Sequence, residues 1–98
     1  MKLNTKKIKI NIIECITFKD RLLGFMFKKD IITYGLLFKK CNSIHTFFMF
    51  QPIDIIMTDK ENNIVYKKEA LEPNHIIRRI KGAYSTYELP IGSIKKLK

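Results

Sequence analysis

The sequence predicts a mainly β (β-rich α+β) fold, a small antiparallel barrel or sandwich of about six to eight short strands with one or two short helices. Three observations lead to this prediction. Short apolar segments with the hydrophobic patterns of strands recur along the chain. Turn-forming residues separate them at short intervals. Little sequence with helical periodicity lies between them, which favours antiparallel connections over βαβ units.

The chain has 98 residues, which is the size of one domain, and 46% of them are hydrophobic. This apolar content is sufficient for a packed core and argues against disorder. Residues 1–98 contain no linker rich in Gly, Pro or Ser and no internal repeat, so we predict a single domain. No apolar run reaches the ~18 residues of a membrane-spanning helix, so no transmembrane segment is predicted.

The first part of the chain predicts a strand, a short helix and a second strand. Apolar residues alternate with polar ones over 8–12, which is typical of a half-buried strand. Thr17 is followed three residues later by an acid, as at a helix N-terminus, and apolar residues at helical spacing predict a helix over 18–26. Gly24 costs that helix about 1 kcal/mol relative to Ala, which favours either close packing at this position or an early end of the helix. A short strand is predicted over 34–38.

The rest of the chain predicts strands and turns. Segment 44–50 is apolar on both faces, which predicts a strand in the middle of the core. A hairpin follows, with one strand over 53–58 and a return strand from Ile64, joined by a polar turn. Residues 83–89 alternate loosely like a strand, and a last short strand is predicted over 94–97 after a tight turn.

The net charge of the chain is +10, from 19 Lys and Arg against nine Asp and Glu. Only Arg21, Arg78 and Arg79 are arginines. The charge predicts either attraction to nucleic acid or an anionic membrane surface, or a solvated Lys-rich surface that reflects an A·T-rich genome. We favour the solvated surface, because nucleic-acid-binding proteins usually cluster their charge and favour Arg.

Two cysteines, Cys15 and Cys41, are fewer than a small secreted domain stabilised by disulfides carries. The basic N-terminus is followed by alternating polar residues, and not by the unbroken apolar stretch of about 7–15 residues of a signal peptide. We therefore predict a cytoplasmic protein with both thiols reduced.

Four motifs follow one another along the chain. An Arg followed by Gly-Phe-Met-Phe lies at 21–27, and Gly-Leu-Leu-Phe lies at 35–38. Ile-His-Thr-Phe-Phe-Met and then Pro-Ile-Asp-Ile lie within 43–55. A late proline, Pro73, precedes Ala-x-x-x-x-Glu-Leu-Pro-x-Gly at 83–92. This series resembles a bacterial and archaeal family known as domain of unknown function 192.

The resemblance covers most of the chain and implies a compact, mainly β fold with short helices. It implies no activity, because none has been assigned to the family. Many relatives carry a signal peptide and have an acidic or neutral charge balance, so the charge of +10 is a departure from the family pattern.

His45, Thr46 and Asp54 are the first group of candidate site residues. If 51–52 is the corner of a hairpin, Met49 faces Asp54, and His45 lies about two residue pairs away. A histidine beside a carboxylate could act as a general base or a metal ligand. The alternative, which we favour, is a core histidine satisfied by the backbone, with Asp54 capping a turn.

Arg21 and Glu88 are the second group of candidates. The guanidinium of Arg21 could form a bidentate ion pair with Glu88 or with Asp54, or it could bind an anion. A structural ion pair is the simpler of these interpretations, because such pairs are common in proteins.

No metal, cofactor or cysteine chemistry is predicted. Cys15, Cys41, His45 and His75 are numerous enough for a metal site, but their spacing is not that of a structural zinc site. On one strand Cys41 and His45 would lie ~13 Å apart, which is too far for a nucleophile and its base.

Phenylalanines form either part of the core or a surface on which nucleic-acid bases stack. Because they are interleaved with Ile and Leu, we predict that they belong to the core. The residues concerned are Phe25, Phe27, Phe38, Phe47, Phe48 and Phe50.

We predict a domain that binds a ligand or a protein partner in a cleft near His45 and Asp54, with a non-enzymatic role favoured. One alternative is a weak, sequence-neutral binder of nucleic acid or anionic surfaces through its lysines. Another is a hydrolase that uses His45 and Asp54. The candidate ligand-binding residues are Arg21, His45, Thr46, Met49, Asp54 and Glu88.

Overall fold

The computed structural model describes the backbone of residues 2–4 and 9–97 and the side chains of residues 10–97. The predicted mainly β class is confirmed, with short strands and one short α-helix. In chain order the elements are β1 (Lys2–Asn4), β2 (Lys9–Glu14), α1 (Phe18–Leu23), β3 (Gly35–Lys39), β4 (Ile44–His45), β5 (Ile53–Thr58), β6 (Ile64–Leu71), β7 (Ile76–Ile77), β8 (Ser85–Leu89) and a C-terminal 3₁₀ helix (Ile94–Lys96).

The strands divide between two sheets. Six of them form a larger sheet in the order β1-β2-β3-β8-β5-β6, and β4 and β7 form a smaller one. Neighbouring strands are antiparallel except β2 and β3, which are parallel and are joined by the crossover that contains α1. Within the described residues β1 and β6 are the two edges of the larger sheet, so the sheet is open and does not close into a barrel.

Strand β5, which lies between β8 and β6 in the larger sheet, is buried on both faces. Ile53, Ile55 and Met57 point to a first face, which is covered by the chain around α1 and by the smaller sheet. Ile56 points to the second face, which the C-terminal 3₁₀ helix covers through Ile94. All six residues of β5 are buried, Asp54 and Thr58 included, which explains why apolar residues occupy both of its faces.

Helix α1 begins where the sequence predicts and ends earlier. The Thr17 side chain accepts a hydrogen bond of 3.0 Å from the backbone N–H of Asp20, which satisfies one free donor at the helix start. The helix ends at Leu23 because Gly24 adopts φ +48°, a conformation that other residues rarely adopt. The predicted extension to residue 26 is therefore wrong. None of the six residues of α1 is buried.

The predicted central strand over 44–50 is wrong beyond its first two residues. Only Ile44 and His45 form a strand, and they pair with β7 in the smaller sheet. The chain then turns, and Phe48 adopts φ +64°. Among the described apolar side chains at 47–50, Met49 alone is buried, and the phenylalanines around it are exposed. The apolar pattern that predicted a buried strand here belongs instead to a turn that exposes its aromatic rings.

The hairpin after this segment is confirmed, with its first strand at Ile53–Thr58. Its turn is held by Asp59, whose carboxylate accepts hydrogen bonds from the backbone of Glu61 at 3.0 Å and of Asn63 at 2.9 Å. The last strand predicted over 94–97 is wrong, because residues Ile94–Lys96 form the 3₁₀ helix. Of the first predicted strand, Ile8 lies outside the described residues. No helix among the described residues is long and apolar enough to cross a membrane.

Candidate functional site

A cavity of about 160 Å³ lies on the first face of the larger sheet, between α1, strand β4 and strand β8. Four of the predicted site residues line it: Arg21, His45, Met49 and Glu88. Thr46 and Asp54 lie outside its wall. Sequence reasoning missed Gly24, Phe38 and Cys41, which also line the cavity.

Glu88 provides the buried polar group of the cavity. It lies on β8 between Leu36 of β3 and Ile55 of β5, in the interior of the larger sheet. Its side chain is buried, and its Oε1 atom has no hydrogen-bond partner. Burial raises the pKa of the Glu88 carboxyl to about 8, because the charged form cannot be solvated there. At neutral pH the carboxyl is therefore mostly protonated and carries an O–H donor.

Gly24 allows the end of α1 to lie against this carboxyl. A Cβ atom placed on Gly24 would be 3.3 Å from Glu88 Oε1 and 3.4 Å from Phe38 Cζ. The distance to Glu88 is tighter than usual for a Cβ contact, the distance to Phe38 is at the lower limit of ordinary contact, and the positive φ of Gly24 also disfavours a side chain. The glycine that ends the helix thus also makes room for the acid beneath it. In the sequence, the position of Gly24 inside a helical pattern was the sign that this residue has a special role.

Arg21 lies at the same cavity, with its guanidinium carbon 5.9 Å from the centre of the Phe38 ring. The predicted ion pair of Arg21 with Glu88 or Asp54 is not formed. Among the described residues one ion pair within 4.0 Å is present, between Lys39 and Glu14 at 3.8 Å. The mostly neutral carboxyl of Glu88 offers little attraction to Arg21, so the guanidinium is available for another acceptor.

His45 is exposed, and its position differs from the core histidine that the sequence favoured. Its ring stacks on that of Phe47, with 4.9 Å between ring centres and 24° between ring planes. The backbone N–H of Phe47 donates to His45 Nδ1 at 3.3 Å. Met49 is 5% exposed and packs in the hydrophobic cluster of the first face, from which it also reaches the cavity.

Thr46 joins the smaller sheet to the loop between β6 and β7. Its side chain is fully buried, and its hydroxyl donates to the carbonyl of Glu72 at 2.7 Å. The same hydroxyl accepts from the backbone N–H of His75 at 2.9 Å. These bonds satisfy a buried hydroxyl and hold the adjoining His45 beside the cavity, so the contact of Thr46 with the site is indirect.

Asp54 lies on the opposite face of the sheet from the cavity, because successive residues of β5 alternate between faces. Both carboxylate oxygens are occupied at 2.9 Å, Oδ1 by the backbone N–H of Ala70 and Oδ2 by that of Ile94. Asp54 therefore ties the irregular C-terminal end of β6 and the 3₁₀ helix to β5. The predicted meeting of His45 and Asp54 in one cleft is wrong, because β4 pairs with β7 and forms no hairpin with β5. His45 lines the cavity and Asp54 does not.

The two cysteines differ in their surroundings. Both are free thiols; Cys15 is buried, and burial together with the nearby Glu88 carboxyl raises its pKa to about 11. Cys41 is half-buried in the cavity wall, and its thiol donates to the carbonyl of Ser43 at 3.2 Å. Within the described part of the chain no three His, Cys, Asp or Glu side chains converge as metal ligands do.

The prediction that the phenylalanines form the core is wrong for most of them. Phe25 and Phe38 are buried, whereas Phe27, Phe47, Phe48 and Phe50 are between 38% and 59% exposed. The rings of Phe27 and Phe48 stack with 5.6 Å between centres, and both residues adopt φ +64°. The backbone N–H of Phe27 donates to the Phe48 carbonyl at 2.9 Å, which joins the two turns that carry these rings.

Comparison with known families decides the relationship of this chain to others. The family model DUF192, described as "Uncharacterized ACR", matches residues 1–98. The chain belongs to the DUF192 family. The resemblance predicted from the motifs is thereby confirmed over the whole length of this DUF192 domain. None of the curated proteins matches the sequence.

Two solved structures share the fold of this DUF192 domain. A protein of unknown function from Novosphingobium aromaticivorans superposes with a TM-score of 0.75 at 14% identity, over 89% of this chain and 67% of that one. A protein from Sinorhizobium meliloti described as a "putative transcription regulator" superposes with a TM-score of 0.76 at 19% identity, over 96% of this chain and 81% of that one. At these identities the likeness concerns the fold alone.

Proposed function

We propose that this DUF192 domain binds a small molecule bearing a carboxylate or carbonyl oxygen in the cavity of Glu88 and Arg21. The observation that carries the proposal is the Oε1 atom of Glu88, which is buried and has no hydrogen-bond partner, in a residue that lines the cavity. Buried polar atoms are nearly always paired, and an unpaired one costs about 1–3 kcal/mol. A ligand oxygen in the cavity would pair with this carboxyl.

The wall of the cavity favours a particular ligand chemistry. A protonated Glu88 donates a hydrogen bond, so it selects an acceptor oxygen on the ligand. Arg21 is permanently positive and favours an anionic group or a carbonyl. Phe38 and Met49 offer apolar contact to the rest of the molecule. A cavity near ~150 Å³ accommodates benzene, so at about 160 Å³ the ligand has roughly six to eight non-hydrogen atoms.

A binding role is better supported than hydrolysis. The hydrolase alternative needed the carboxylate of Asp54 beside His45, and that carboxylate is occupied by two backbone N–H groups on the other face of the sheet. A cytoplasmic location stays part of the proposal, supported by the free thiols of Cys15 and Cys41.

The test is a thermal-unfolding and calorimetric titration of the full chain with small carboxylates, amides and alcohols of this size. A ligand at a hundred times its Kd adds about 2.7 kcal/mol to the free energy of unfolding, which raises the Tm by several degrees. Glu88→Leu should abolish the shift, and Glu88→Gln, which keeps a donor, should retain part of it.

Thr58→Val provides the matched control for this experiment. Thr58 also carries a buried oxygen without a hydrogen-bond partner, but it does not line the cavity. The variant should therefore bind the ligand like the wild type. The proposal fails if no compound of the panel raises the Tm, or if Glu88→Leu binds as tightly as the wild type.

A further inference from the structure

A second depression is lined by residues of both strands of the smaller sheet and adjoins the Glu88 cavity. Its volume is about 350 Å³, and its wall includes His45, Phe47, Arg78 and Arg79. A third depression of about 400 Å³ shares Arg79 and continues to Lys81. Arg79 lines both depressions, and we call the two together the arginine groove.

The type of cation distinguishes this groove from the rest of the surface. The chain has 16 lysines and three arginines, and two of the three arginines, Arg78 and Arg79, line the groove. No Asp or Glu is among its lining residues. A guanidinium binds phosphate with two parallel hydrogen bonds and stacks on flat rings, which an ammonium does not do. The arrangement therefore complements an anion that combines phosphates with aromatic rings.

The aromatic side chains of the groove are exposed and already ordered. The ring of Phe47 is 38% exposed and lies nearly parallel to that of His45, at 24° and 4.9 Å. The hydrogen bond from the Phe47 backbone to His45 Nδ1 holds the two residues together. Exposed aromatic rings beside cations are the arrangement on which the bases of single strands stack, with little preference for sequence.

We propose that the arginine groove binds single-stranded nucleic acid, with a base stacked on the Phe47–His45 pair and phosphates on Arg78 and Arg79. A single strand fits better than a duplex, because the bases of a duplex are stacked on each other and cannot reach a ring within a groove. The groove adjoins the Glu88 cavity, since Ser43, Ile44 and His45 line both. Phe47, Arg78 and Arg79 do not line the cavity, however, and Glu88 does not line the groove. Each proposal can therefore fail without the other.

The experiment is fluorescence anisotropy of a labelled 12-nucleotide thymidine strand titrated with the full chain at several salt concentrations. Each phosphate contact contributes about −0.7 to the slope of log K against log salt for a single strand. Arg78→Ala/Arg79→Ala should make that slope less negative by about 1.4. Phe47→Leu should weaken binding at least fivefold with an unchanged slope. Phe47→Tyr keeps an aromatic ring and should bind about as tightly as the wild type.

Lys67→Ala/Lys68→Ala is the control, because it removes the same charge from exposed positions of β6 outside the groove. It should change the affinity far less than the arginine double variant, and Glu88→Leu should not change it. Thermal unfolding shows whether each variant is folded. The proposal is overturned if no binding occurs at low salt, if the lysine variant loses as much affinity, or if duplex DNA or anionic vesicles bind more tightly than the single strand.

Discussion

The backbone of Gly24 lies directly over the carboxyl of Glu88, so that a Cβ atom on residue 24 would be 3.3 Å from Oε1. One residue ends the helix and the other lies in the interior of the sheet, 64 positions later in the chain. Their contact closes one side of the cavity. The stability of the domain and the chemistry of its cavity therefore depend on the same pair.

Gly24→Ala should lower the free energy of unfolding by about 1–3 kcal/mol, measured by urea denaturation. The backbone of residue 24 has φ +48°, which is unfavourable for a residue with a side chain, and the added methyl group crowds Glu88 and Phe38. Gly82→Ala is the matched control, since Gly82 has φ +87° and no atom within 4 Å of the added carbon. If both variants lose the same stability, crowding at Glu88 contributes nothing.

The stability of the domain should fall as the pH rises from about 4.5 to about 8. Burial raises the pKa of Glu88 from 4.5 to about 8, so the folded chain keeps a proton that the unfolded chain has released in this range. The stabilisation is complete at a pH below the pKa of Glu88 in the unfolded chain, and it is lost as the pH rises through the pKa in the folded chain. The total change in the free energy of unfolding is on the order of a few kcal/mol.

Urea denaturation at pH 5, 6.5 and 8 measures this dependence in the wild type and in Glu88→Gln. The amide does not titrate, so the difference in stability between the two proteins should change with pH in the direction given. Parallel pH profiles for the two proteins would show that Glu88 does not hold its proton.

Asp54→Ala should destabilise the fold by about 3 kcal/mol or more, because it leaves the buried N–H groups of Ala70 and Ile94 without an acceptor. Asp54→Asn keeps one acceptor oxygen and should lose less. Urea denaturation gives the stabilities, and ligand binding by the folded variants should match that of the wild type. A loss of binding without a loss of stability would instead assign Asp54 to the site.

Thiol labelling should separate the two cysteines. At pH 8 a disulfide reagent should modify the accessible Cys41 quickly, while Cys15 stays unmodified until the chain unfolds, because it is buried and its pKa is raised to about 11. A ligand in the cavity should slow the labelling of Cys41. Cys41→Ser should abolish the fast phase, and a fast phase that persists in this variant contradicts the assignment.

Local patterns were sufficient for the elements whose residues decide their own conformation. The strand at Ile53–Thr58 and its polar turn follow from a mainly apolar segment that is bounded by Pro52 and by the turn residues after Thr58. The start of α1 follows from Thr17, whose side chain caps the helix. Segment 44–50 was assigned wrongly because its sequence is as apolar as a buried strand, and only packing places Met49 inside and its aromatic neighbours outside.

The candidate site shows the same division. Residue types identified Arg21, His45, Met49 and Glu88, which the fold brings to one cavity from three separate segments. Asp54 was assigned to the wrong place because its partner strand could not be known: β4 pairs with β7, and the alternation of β5 turns Asp54 to the other face.

The sequence by itself determined the β-rich class, the family and the chemical character of the groups available, because these follow from local patterns and composition. The tertiary structure decided which of those groups meet. It buried Glu88 beneath Gly24, occupied Asp54 with backbone donors and exposed Phe47 beside two arginines. Burial and partnership depend on contacts between distant segments, and no local pattern encodes those contacts.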